Sequence, residues 1–175
     1  ELPSPDLIAL RSLLSLRKRL KRDEHSARMQ IRNGLLVRHF PEMDRLWGSC
    51  LKENLAIVRS CLDPRTISAM SFDDFLRRVT DRDRGLRQVK RLQRIYEAAA
   101  VSVGCPVDAA ARFEARQLVD RSNGLRERIE DTEERIAHIC RDFPSYRRLL
   151  TIPGFGPYIA SQVIARIGDP HRFAG

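Results

Sequence analysis

Few side chains in this 175-residue sequence stand at spacings that do covalent chemistry. Asp73-Asp74 and Asp81-x-Asp83 place carboxylates close enough to suggest divalent-metal ligands, the arrangement that activates water or a phosphate oxygen. Both pairs also fall where helices are expected to begin. There an acid stabilises the positive end of the helix dipole, and that is their expected role. Glu130-Asp131 and Glu133-Glu134 are expected on the solvated face of a long helix. Ser12, Ser15 and Ser26 have no base set beside them by any motif. Cys50, Cys61, Cys105 and Cys140 form no CxxC pair, and His138-x-Cys140 is too tight, and lacks a second pair, for structural zinc. Buried, reduced thiols are expected, which fits the cytoplasm. No catalytic residue and no metal site are expected in this sequence.

The chemistry that remains is the holding of a polyanion. In Ile152-Pro153-Gly154-Phe155-Gly156-Pro157, the two glycines permit positive φ and leave no Cβ between backbone and ligand. Pro157 suits the first turn of a following helix, because its missing N–H would have no partner there. Free N–H groups at such a turn can hold a phosphate oxygen without reading bases. Arg147, Arg148 and Arg166 stand near enough in sequence to add charge. The same turn can also serve only as a tight connector. A second candidate lies near the start, where Arg11, Lys18, Arg22, His25 and Arg32 follow one another at spacings of seven, four, three and seven. On a helix they share one stripe, with Arg17, Lys21 and Arg28 along its flank. A stripe of this kind follows a phosphate backbone, or else is the solvated face of a helix buried on its leucine side.

Composition agrees with an anionic partner. The net charge is +9, with 28 arginines and four lysines. Residues 1–100 hold 21 basic and 13 acidic side chains, whereas residues 101–150 hold nine of each. A positive part joined to a neutral part suggests that one grips nucleic acid while the other packs with protein. No apolar run approaches the ~18 residues of a membrane span, and no signal peptide is evident, so a soluble, cytoplasmic protein is expected.

The elements that must position these groups read as helices throughout, so the expected class is all-α. Ser4-Pro5-Asp6 starts a basic helix that runs to about His39, broken only by Asn33-Gly34 and stopped by Pro41. Its apolar side is Leu7, Leu10, Leu13, Leu14, Leu20, Ala27, Ile31 and Leu35. Further helices are expected over 49–62, ending before Asp63-Pro64, over 72–79 with Ser71 as cap, and over 84–103 with Leu86, Val89, Leu92, Tyr96 and Ala99 inward. The longest spans about 107–141. Within it Ala111, Ala115, Leu118, Ser122, Leu125, Ile129, Thr132, Ile136 and Ile139 alternate by four and three, a coiled-coil seam. That seam can close on residues 84–103 as an antiparallel helical hairpin, or on a second chain. Residues 144–167 read as a helix-hairpin-helix, with Ala160 allowing close approach and Leu150, Ile152, Val163 and Ile167 filling the space between its helices. The organisation is then 1–48, a basic helix; 49–143, a helical linker; and 144–175, the hairpin opening a further domain.

The run from Leu149 through Ile152-Pro153-Gly154-Phe155-Gly156-Pro157 to Ile167-Gly168-Asp169-Pro170-His171-Arg172-Phe173 resembles the opening of the C-terminal domain of DEDD-type insertion-sequence transposases. This is the insertion-sequence one-ten family, which also contains the pilin-gene invertases. Leu10-Arg11-x-Leu13-Leu14-x-Leu16-Arg17-x-Arg19-Leu20 is similar to the basic helix that follows that family's catalytic domain. The likeness is close at the end of the chain and loose at its start, and the middle is alike only in being helical. It implies a site-specific recombinase with a RuvC-like acidic domain using a divalent metal (Mg), a serine-bearing C-terminal domain, and a structured guide RNA. By that likeness the acidic residues precede Glu1 and the serine lies beyond Gly175. The chain opens without Met and stops within an element, so both ends are expected to be cut. A homodimer or higher homo-oligomer on DNA is the expected assembly. The rival readings are a non-enzymatic helix-hairpin-helix DNA-binding module and a structural coiled-coil adaptor.

Overall fold

The computed structural model describes residues 4–80 and 85–168, and the described residues form helices without a strand, an all-α protein. They divide into two compact units: residues 4–24 with 124–168, and residues 25–80 with 85–123. The start of the 84–103 helix, Asp81-x-Asp83 and the run after Gly168 lie partly or wholly outside the described residues.

The chain starts with α1, Pro5–Gln30, opened by Pro5 and by Ser4, whose hydroxyl accepts the Leu7 N–H at 3.3 Å. Asn33-Gly34 does not end this helix. Poor helix formers at that point instead accompany a wider π-helical segment, Ile31–Leu36, in which the Val37 N–H reaches back five residues to the Arg32 carbonyl. The helix resumes as α2, Val37–His39, and Phe40 breaks it before α3, Pro41–Arg45. Next come α4, Leu51–Cys61, and α5, Pro64–Ser68. Asp63-Pro64 therefore stops one helix and starts another, the Asp63 carboxylate accepting the Arg65 N–H. Ser71 caps α6, Phe72–Val79, by accepting the Asp74 N–H. The long helices α7, Leu86–Ala100, and α8, Ala109–Arg141, follow, the latter capped by Asp108. The last described helices are α9, Pro144–Leu150, and α10, Pro157–Ile167.

The unit of residues 25–123 holds the larger core. Ile31, Leu35, Leu36, Phe40 and Met43 meet Leu55, Ile57 and Val58 of α4, Ile67 of α5, Phe75 of α6, Leu92 and Ile95 of α7, and Ala111, Ala115 and Val119 of α8. Each large apolar side chain here contributes about 1.5–3 kcal/mol. On the 86–100 helix Leu92 and Ala99 are buried and Tyr96 packs against the core as its spacing suggests, but Leu86 is 82% exposed and Ile95, on the same inward side, is fully buried. A polar cluster lies beside this core. Arg91 donates to the Leu46 carbonyl and to Glu53, each at 2.9 Å, and to Asn54, while Gln88 also donates to Glu53. Glu53 and Asn54 are buried, so these partners replace the water both have lost. Gly104 permits a close backbone approach, since a Cβ there would stand 1.9 Å from the His39 carbonyl oxygen.

The other unit is built on Leu10 of α1, Ile136 and Cys140 of α8, Tyr146 of α9, and Ala160, Ile164 and Ala165 of α10. Here the second half of α8 finds its partner in α1, whose Arg17 bonds Glu133 at 2.5 Å. The seam positions Leu125, Ile129, Thr132 and Ile136 are buried, whereas Ala111 and Ala115 belong to the other unit's core. The partner for the second half was not among the helices suggested by sequence, because α1 stands more than a hundred residues away. A second difference concerns α9 and α10. Leu150, Ile152 and Ile167 are 40, 44 and 39% exposed rather than filling the space between the two helices. Packing uses the Ala160–Ile164 face, against α1 and α8, and leaves Ile152, Val163 and Ile167 lining an open apolar groove of about 210 Å³.

Candidate nucleic-acid interface

The turn between α9 and α10 is held by three backbone hydrogen bonds: Thr151 N–H to Arg148, Ile152 N–H to Leu149, and Phe155 N–H to Ile152. The two glycines differ. Gly154 has φ +86°, a conformation that side-chain-bearing residues rarely adopt. Gly156 has φ −77° and ψ 169°, ordinary extended backbone, and forms the N-cap of α10 with no side chain to close it. Positive φ therefore explains Gly154 alone. A Cβ at either position would meet nothing within 4 Å. Neither strain nor crowding inside the chain accounts for glycine at Gly156. Among the described residues the N–H groups of Gly154, Gly156, Tyr158 and Ile159 have no intramolecular acceptor. Together with the positive end of α10 they form a donor group suited to a phosphate oxygen.

The cations expected at this turn are not all brought to it. Arg147 and Arg148 occupy the last turn of α9, next to the glycine turn, exposed and without an ion pair among the described residues. Arg166 is also exposed but stands in the last turn of α10, about 15 Å along the helix from Gly156 at 1.5 Å per residue.

On α1 the stripe divides by task. Arg11 donates from Nε to the Ala165 carbonyl at 2.7 Å, satisfying one of the last carbonyls of α10 with a cation at its negative end. Lys18 and Arg22, one turn apart, are exposed and have no acidic partner among the described residues. Arg17 lies over the Tyr158 ring, 3.7 Å from its centroid, while it pairs with Glu133. That makes it a tie between α1, α8 and the first turn of α10. Lys21 pairs with Glu24 at 3.6 Å. In the other unit, Arg32 donates to Asp44 at 2.6 Å, and this hydrogen bond raises its pKa above the ordinary arginine value despite partial desolvation. Arg28 contacts His25 Nδ1 at 3.0 Å.

The other candidate chemical groups find ordinary structural places. Asp73 and Asp74 stand in the first turn of α6. Hydrogen bonds from Ser71 and Arg77 hold Asp74 below the usual carboxylate range. Glu133 is not simply solvated, since it pairs with Arg17, and Asp131 pairs with Arg135 at 3.1 Å. No group of three or more His, Cys, Asp or Glu side chains among the described residues is placed to hold a metal ion. Cys61 and Cys140 are buried, but Cys50 and Cys105 are exposed. Burial raises the Cys61 thiol and pushes that of Cys140 up to about 11. Arg17, Tyr158 and the Arg91–Glu53–Asn54 cluster gained their roles through contacts distant in sequence, with no local signal to mark them.

No helix among the described residues is long and apolar enough to cross a membrane. Residues 146–175, from the middle of α9 onward, match the family model described as Transposase IS116/IS110/IS902 family. The match supports an insertion-sequence transposase and a role in transposition. No curated protein and no solved structure matches the chain significantly.

Proposed function

We propose that this chain is a part of an insertion-sequence transposase, a DNA recombinase, and that it supplies nucleic-acid grip and protein association rather than the chemistry. The observation that carries this reading is the unpartnered amide group from Gly154 to Ile159, beside exposed Arg147 and Arg148, within the segment that matches the transposase family. In this reading α9, the turn and α10 are a helix-hairpin-helix holding a DNA phosphate. Lys18 and Arg22 add contacts from α1, while Arg11 and Arg17 fix α10 against it. The catalytic acids with their Mg and the nucleophilic serine belong to other parts of the protein, which acts in the cytoplasm as a homo-oligomer on DNA with a structured guide RNA.

A mobility-shift titration of duplex DNA across a range of salt tests the grip. Each neutralised phosphate contributes about 0.9 to the slope of log affinity against log salt. Lys18→Gln with Arg22→Gln, and separately Arg147→Gln with Arg148→Gln, should each lower that slope by about two. Slopes unchanged in both double variants would remove this interface.

A further inference from the structure

The unit of residues 25–123 contains a cleft of about 720 Å³ between the start of α4, the end of α6 and α7. We propose that it is a second binding site, which takes the phosphate and sugar of an unpaired nucleotide in a nucleic-acid strand. The proposal rests on the reading of the chain as a nucleic-acid binder, but uses residues that no part of that reading assigns.

The volume lies within the ~300–1,000 Å³ of small-molecule sites, so it admits a nucleotide and excludes a duplex. Lys52 and Arg87 line it as exposed cations without an acidic partner among the described residues. Arg91, its side chain 19% exposed, is held rigid by the Leu46 carbonyl, Glu53 and Asn54. The Glu53 carboxylate would repel a phosphate if it stood alone. It is matched by Arg91 and accepts from Gln88, so among the described residues Lys52 and Arg87 leave the cleft lining positive. Gly48 completes the arrangement, because a Cβ there would come 2.6 Å from Arg91 Nε and displace the guanidinium.

Backbone donors lie at the first turn of α4, whose Lys52 and Glu53 line the cleft. Cys50 is the N-cap of α4 but gives no side-chain cap bond, and the N–H groups of Leu51, Lys52 and Glu53 have no acceptor among the described residues. Ala56 and Val79 supply apolar wall, suited to sugar or to the flat face of a base.

The native cysteines allow a direct test. Cys50 lines the cleft, Cys105 is exposed elsewhere in the same unit, and Cys61 and Cys140 are buried. Alkylation of the folded chain by a maleimide is followed at each cysteine by mass spectrometry, with and without oligothymidylate or oligouridylate. At ligand ten times its dissociation constant, Cys50 should react about tenfold more slowly, as occupancy dictates, with Cys105 unchanged. The Lys52→Glu, Arg87→Glu double variant should lose the protection while keeping the circular dichroism of the parent. Protection surviving in that variant, or equal slowing of both cysteines, would overturn the proposal. If an oligonucleotide binds by fluorescence anisotropy while Cys50 stays unprotected, the cleft is not the site and the nucleic-acid reading stands. If neither strand nor duplex binds at low salt, that reading fails instead. The cleft is then tested with thymidine monophosphate alone, and an unprotected Cys50 ends the proposal.

Discussion

The two units contain similar side chains and use them differently. In residues 25–123 several arginines are ties between helices: Arg32 to Asp44, Arg59 to Asp120, Arg112 to Asp63, and Arg91 into a buried polar cluster. Around them lies a broad core with the aromatic group Phe72, Phe75 and Tyr96, ring centroids 5.4–6.5 Å apart. The unit of residues 4–24 and 124–168 has a smaller core and an open apolar groove. Two arginines, Arg11 and Arg17, hold its helices together, while Lys18, Arg22, Arg147 and Arg148 have no acidic partner among the described residues. Charge counted along the chain puts the excess before residue 100. Charge available to a ligand depends on which cations already have partners, and by that measure both units keep exposed cations: Lys52 and Arg87 in one, Lys18, Arg22, Arg147 and Arg148 in the other.

The largest expected effect separates the units by the cost of removing one arginine tie. Arg91→Ala leaves Glu53 charged and buried without its cation, which costs about 3–5 kcal/mol. Arg17→Ala should cost only about 1–2 kcal/mol, since Glu133 is 43% exposed and recovers water, and the cation–π contact with Tyr158 adds about 1 kcal/mol. Urea unfolding followed by the fluorescence of Trp47, next to the Leu46 carbonyl that Arg91 bonds, measures the first. Circular dichroism measures the second. Equal costs would erase the distinction between a tie to a buried acid and a tie to a half-exposed one.

A smaller effect is confined to the hairpin unit. The Cys140 thiol is raised by burial from near 9 to about 11. Below pH 9 it is neutral in both states and adds no pH dependence. Between about pH 9 and 11 the unfolded chain releases this proton and the folded chain keeps it, so stability falls as pH rises through that window. The loss from this group is about 2 kcal/mol. Cys140→Ala should be less stable at pH 8 but show a decline smaller by that amount, as measured by urea unfolding at stepped pH.

What was legible in the sequence was local. Ser71, Pro5 and Gly156 cap or open their helices through neighbours within four residues, so the helix boundaries they mark fall near their expected places, whereas Asn33-Gly34 marks no boundary. Asp63-Pro64 was equally local, yet its second meaning, a cap followed by proline at the first helical position, marks α5 as well as the end of α4. Periodicity also identified most of the buried side of α1. Contacts between distant segments were not legible. Nothing near Arg11 indicates that its partner is the Ala165 carbonyl, nor near Glu133 that Arg17 will reach it. On α7 the expected Leu92, Tyr96 and Ala99 do face the core, and Leu86 does not, because it opens the helix and stands 82% exposed.

Within the candidate interface the comparison narrows to two glycines. At Gly154 an alanine must adopt φ +86°, and Gly154→Ala should cost about 1 kcal/mol in stability. Any accompanying loss of DNA binding would then mix a moved turn with a blocked contact, so this position does not by itself separate the clamp from the connector.

Gly156 separates them, although its effect on stability is the smallest. Its backbone is extended and its Cβ position is empty, so a serine fits without strain. As the N-cap residue, that serine can accept the N–H of Tyr158 or Ile159, and Gly156→Ser should raise stability by only a few tenths of a kcal/mol. Those amides are the donors assigned to the phosphate oxygen. A hydroxyl accepting from one of them competes with the ligand, and its added atoms stand where the strand would approach. Stability and affinity should therefore move in opposite directions, a slightly higher urea midpoint with weaker binding in the mobility-shift titration. A turn that merely connects two helices would gain the same stability and bind DNA as before.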